Sequence, residues 1–138
     1  MTTLFSWQGY YNNQPIMLHQ YACNPKQLHQ NNTKMGITKL TVHPFPTKSW
    51  WLYFKPDPSI ELFQHLERLL KAKFLLPHSL HLIMQQTSCP WGRGHAWLIL
   101  SHLKQGRLMS DALMQLPEYS TITCLLVRIS QNNWHLAQ

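Results

Sequence analysis

Eight consecutive residues, Thr87-Ser88-Cys89-Pro90-Trp91-Gly92-Arg93-Gly94, hold the sharpest local chemical signal in the chain. Glycines let a backbone approach an anion closely, and free N–H groups at a helix start bind phosphate. Arg93 adds a fixed positive charge, so Thr87, Ser88, Gly92, Arg93 and Gly94 form a candidate anion-binding turn. The segment lacks the Gly-Lys-Ser/Thr ending of a nucleotide phosphate loop and the third glycine of a dinucleotide fingerprint. Its alternative reading is a tight turn packed under Trp91. His81 precedes the turn and His95 follows it. An imidazole on either side could act as general acid or base on a phosphodiester, with Arg93 stabilising the developing charge. His81 and His95 are therefore the candidate catalytic residues of a metal-independent ribonuclease.

Carboxylate chemistry is nearly excluded. The five acids are Asp57, Glu61, Glu67, Asp111 and Glu118, and no two of them suggest an acid/base pair or a two-metal cage. The nine histidines are scattered; His95 and His102, seven apart, could share one helix face. Cys23, Cys89 and Cys124 have no CxxC partner, so the chain predicts reduced thiols, no zinc site, no metal and no cofactor.

Charge is the broader signal. Twelve lysines and arginines give a formal net charge of +7, a field that attracts polyanions or an acidic protein face. Lys39, Lys48, Trp51, Tyr53 and Lys55 fall on adjoining predicted strands, and the period of two puts Trp51 and Tyr53 on one face. Aromatics beside lysines bind single-stranded nucleic acid by stacking and phosphate contact. Arg68, Lys71 and Lys73 would add phosphate contacts. In the alternative reading that strand is buried on both faces and its lysines flank the ends.

The elements that must position these residues are predicted as follows. Residues 4–11 and 16–21 flank Asn12-Asn13 as a β-hairpin. Residues 22–34 are rich in Asn and Gln and read as a polar loop. Strands follow at 37–42 and 49–54. Asp57-Pro58 then starts a helix carrying Ile60, Phe63, Leu66, Leu70 and Phe74 at helical spacing. Residues 80–85 read as a buried strand, Ala96 to Leu103 as a helix ending before Gly106, 109–116 as a short helix, and 121–129 as a central strand. This alternation predicts one α/β domain, with a mixed α+β fold the alternative: a hairpin at 1–21, the loop at 22–34 and a main α/β body at 35–138. The expected architecture is a central mixed sheet, with parallel pairs, right-handed crossovers and helices on the sheet. An apolar content of 44% supports folding, and no apolar run reaches 18 residues. Residues 1–11 lack a secretory pattern, so the expectation is a soluble, cytoplasmic protein without a membrane partner.

The stretch Ser49-Trp50-Trp51-Leu52-Tyr53-Phe54-Lys55-Pro56, a following helix, Leu76-Pro77 leading into Met84-Gln85-Gln86-Thr87-Ser88, and a later helix ending at Gly106 resemble the bacterial SOS cell-division inhibitors. That family has a truncated recombinase-like α/β fold and binds the tubulin-like division protein. The resemblance covers roughly the middle third of the chain and implies a protein inhibitor; no site residues carry over from it. Three functional expectations result. The first is a non-enzymatic protein binding RNA or single-stranded DNA. The second is an inhibitor or assembly subunit docking a basic, Trp-rich face on an acidic protein. The third is the ribonuclease.

Overall fold

Asn12 and Asn13 both adopt positive φ, 52° and 65°, as a two-residue hairpin turn requires if its twist is to match the flanking strands. The computed structural model describes residues 2–44, 58–117, 119 and 123–129. In it the turn joins β1 (Thr3–Tyr11) to β2 (Gln14–Ala22), paired from Tyr11 opposite Gln14 to Thr3 opposite Ala22. A third strand, β3 (Thr38–Pro44), pairs antiparallel with the other side of β1, giving the order β2-β1-β3. The register shifts between Gln8 and Tyr10, where Lys39 and Leu40 together oppose Gly9. Lys39 takes the left-handed conformation, φ 52°, and a Cβ on Gly9 would lie 2.5 Å from the Ile37 side chain. Only glycine leaves room for this bulge.

Since β2 and β3 are both antiparallel to β1, they run in the same direction on either side of it. The chain crosses between them through α1 (Pro25–Lys34). This helix corrects the expectation of a polar loop at 22–34. Asn24 caps it, its side chain accepting from the Gln27 N–H at 2.7 Å, and Pro25 opens it. Only Leu28 and Asn32 of α1 are buried, so its sequence carries little apolar periodicity to read.

Four further helices follow: α2 (Pro58–Lys71), α3 (Leu76–Gln86), α4 (Pro90–Lys104) and α5 (Met109–Leu113). Residues 123–129 are also helical. The strand predicted at 80–85 is thus the body of α3, and Pro77 stands near that helix's start. The strand predicted at 121–129 is likewise helical over its described part. Short apolar runs fit either element by periodicity. The predicted strand at 49–54 lies outside the described residues. Helix and sheet are mixed in one small domain, as predicted, but the described sheet is antiparallel throughout and has no parallel neighbours.

The core is organised around α4. Every residue from Gly92 to His102 is buried, because α4 packs on β2, α2, α3 and α5 at once. The Trp97 ring meets Trp7 of β1 edge to face, centroids 5.4 Å apart. Phe5, Ile16, Leu18, Leu80, Ile83 and Leu113 fill the space around this pair.

Candidate functional site

The segment at 87–94 is a helix entrance rather than a turn. α4 begins at Pro90, and Gly92, Arg93 and Gly94 lie buried within its first turns. A Cβ on Gly94 would stand 2.3 Å from the Met17 carbonyl oxygen. The glycine is required because α4 presses directly on the β2 backbone. Arg93 is only 6% exposed; it donates to the Pro15 carbonyl and, at 3.2 Å, to the Thr87 carbonyl. Its guanidinium thus joins the start of β2 to the C-cap of α3. The Thr87 hydroxyl accepts from the Cys89 N–H at 3.2 Å. Trp91 is half-buried, its ring 4.6 Å from that of His19. Ser88 is exposed beside this entrance. The Thr87 hydroxyl and the two terminal nitrogens of Arg93 are engaged inside the domain, which is the packing reading of this segment.

His81 and His95 are not brought into one site. His81 is exposed on α3, with its Nε2 3.1 Å from the Gln85 amide. His95 is fully buried in α4, its Nδ1 3.1 Å from the Tyr119 hydroxyl. Among the described residues, no group of three or more His, Cys, Asp or Glu side chains could hold a metal.

The basic residues divide between two regions. Lys39 extends over the exposed Tyr10 ring, 5.7 Å from its centroid. Arg68 and Lys71 belong to α2, which packs on α3 and α4. Lys71 pairs with Glu67 at 2.8 Å; their mutual hydrogen bond raises the lysine pKa and lowers that of the carboxyl. Lys73, φ 72°, closes α2 in a Schellman arrangement, with Lys73 N donating to Leu70 O and Phe74 N to Leu69 O. Lys48, Trp51, Tyr53 and Lys55 lie outside the described residues.

Two features were missed in the sequence. The first is a cleft of about 610 Å³ between α1, the end of β2, and α4 with α5. A directed chain of hydrogen bonds runs along it. The Trp7 indole N–H donates to Gln20 Oε1 at 2.9 Å, and Asn32 donates to the same oxygen at 3.4 Å. Gln20 Nε2 donates to Gln115 Oε1 at 2.8 Å, and Gln115 Nε2 lies 3.3 Å from His102 Nε2. His102 Nδ1 lies 3.0 Å from the Leu98 carbonyl. An indole can only donate, so Trp7 fixes the direction of every amide after it. His102 must then be neutral, with Nδ1–H donating to Leu98 O and the Nε2 lone pair accepting from Gln115. Burial pushes its pKa below the ordinary 6.5, the Leu98 carbonyl opposes that shift, and the nearby Arg107 charge reinforces it. The sequence did contain a signal: Gln20 continues the inward-facing series Ile16, Leu18, and Asn32 stands four after Leu28. A polar residue in the apolar phase marks a buried hydrogen-bonding group.

The second feature is the helical segment 123–129. Its Cys124 is buried, and burial pushes that thiol's pKa up. Leu125, Leu126 and Ile129 are 51%, 60% and 57% exposed, and the neighbouring Met114 is 57% exposed. Arg128 fastens the segment to α5, donating to Ser110 Oγ at 3.2 Å and pairing with Asp111 at 3.3 Å. Met114 Sδ lies 4.0 Å from the same guanidinium. Phe74 and Leu75, after α2, are also exposed. Two of the described tryptophans behave differently: Trp7 and Trp97 are in the core.

No protein family, curated protein or solved structure matches this chain. The inhibitor resemblance therefore gains no support from these comparisons. Among the described residues no helix is long and apolar enough to cross a membrane.

Proposed function

We infer that the chain is a non-enzymatic assembly or inhibitory module that docks on an acidic protein partner. The observation that carries this reading is the exposed apolar face Leu125, Leu126 and Ile129, with the exposed Met114 beside Arg128 of the same segment. Contiguous exposed apolar residues rimmed by polar ones mark interaction sites, and a helix presenting such a face is a common recognition element. The net charge of +7 selects an acidic partner. Among the described residues Trp7 and Trp97 are committed to the core, so the exposed face that carries this reading is leucine-rich; Trp50, Trp51 and Trp134 lie outside the described residues. Copurification after nuclease treatment, followed by mass spectrometry, tests the reading. A stoichiometric acidic protein supports it; recovery of nucleic acid alone contradicts it.

Nucleic-acid binding is the second reading, favoured by the Lys39–Tyr10 pair on the sheet. An exposed ring with a lysine beside it can stack a base and contact its phosphate. In that case oligonucleotide affinity falls steeply with salt, and Tyr10→Ala weakens it.

A further inference from the structure

The cleft beside the apolar helix has a lining that selects a particular kind of ligand. Five carboxamides, Gln20, Gln27, Asn31, Asn32 and Gln115, face it together with Arg107. Gln20 and Asn32 are buried and bonded into the internal chain, so they form the floor. Gln27 and Asn31 are exposed, four residues apart along α1, and form a wall. Side chains at that spacing stand about 6 Å apart on a helix surface. Alternate residues of an extended chain repeat at about 6.6 Å, and each carboxamide carries both a donor and an acceptor for a peptide group. Among the described residues the ion pairs are Glu67–Lys71 and Asp111–Arg128, so Arg107 has no carboxylate partner there. Asp111, also in the lining, is already paired with Arg128 and accepts from the Leu108 N–H at 3.1 Å. Among the described lining residues, the charge left without a counter-charge is therefore positive. Met114 lines the cleft, and its Sδ lies 4.0 Å from the Arg128 guanidinium of the apolar helical segment, so the cleft reaches that segment.

We propose that this cleft receives an extended acidic peptide segment, its backbone paired with Gln27 and Asn31 and one of its carboxylates on Arg107. The inference rests on the docking reading above and specifies what part of the partner enters the domain. Cys23 lies exposed on the same cleft, which allows a direct test by disulfide tethering. In a Cys89→Ser background, tetrapeptide amides bearing one cysteine and two Glu, Gln or Lys residues are exchanged onto Cys23 and released with β-mercaptoethanol. The Glu peptide is expected to need about tenfold more reductant than the Gln peptide, because a tethered group samples its site at millimolar effective concentration. Arg107→Gln abolishes that difference, whereas Lys73→Gln, the same loss of charge outside the cleft lining, preserves it. Equal release of the Glu and Gln peptides overturns the proposal, as does equal loss in the two variants. A thiol-bearing oligonucleotide held more tightly than the Glu peptide also overturns it, in favour of nucleic acid. If tethering discriminates but the intact chain recovers no protein partner, the docking reading fails and the ligand class of the cleft stands. A recovered partner with no discrimination gives the reverse.

Discussion

Helix α4 and the helical segment 123–129 are both apolar, yet the fold treats them oppositely. α4 is enclosed over the whole of Gly92–His102 because it meets the sheet, α2, α3 and α5 around its circumference. Segment 123–129 meets the domain on one side, through Cys124, Val127 and Arg128, and leaves Leu125, Leu126 and Ile129 outward. An apolar helix is buried only as far as neighbours exist to cover it, so composition alone does not say whether it is core or surface. On the docking reading proposed above, stability belongs to α4 and partner binding to 123–129. Substitutions should separate these roles.

The largest expected effect is in α4. Trp97→Ala removes the ring that meets Trp7 and should cost about 3–5 kcal/mol in denaturant unfolding. Gly94→Ala places a methyl against the Met17 carbonyl and should cost about 1–3 kcal/mol; a neutral result would mean that α4 does not press on β2. Acid sensitivity should come from His102. Its pKa is lowered in the fold, so below its ordinary value the unfolded chain binds the extra proton more readily. Stability should be full above pH 7 and decline as pH falls through about 6.5 toward the folded value. His102→Gln should flatten that part of the pH–stability curve relative to the wild type. The smallest effect belongs to 123–129: Leu126→Glu should change stability by no more than about 0.5 kcal/mol, as for an ordinary surface position, while weakening partner binding. A Leu126→Glu loss comparable to that of Trp97→Ala would erase the contrast.

What could be read in advance followed local chemistry. Asn12-Asn13 announced the hairpin, and Pro58 with the spaced apolar residues announced α2, whose predicted cap Asp57 lies outside the described residues, although its terminal Schellman turn stops the helix before Phe74. Helix α1 was missed because it turns mostly polar residues to solvent, leaving the Asn24-Pro25 start as its only clear mark. Gly94 illustrates a deeper ambiguity. Close approach to an anion and close approach to a carbonyl both require glycine, and only the tertiary partner, Met17, distinguishes them. The cleft was hidden for a related reason: Gln20 and Gln115 are 95 residues apart, and their contact depends on β2 meeting the end of α5. Periodicity identifies a polar residue in an apolar phase but not the group it will bond.

Hydrogen exchange of the chain alone and bound to its copurified partner tests the central claim most directly, since it reports protection segment by segment. Docking through 123–129 and the cleft should add protection in 123–129 and along the α1 wall, with α4 slow in both states and β3 unchanged. Added protection on β3 around Lys39, with 123–129 exchanging as in the free chain, would contradict it.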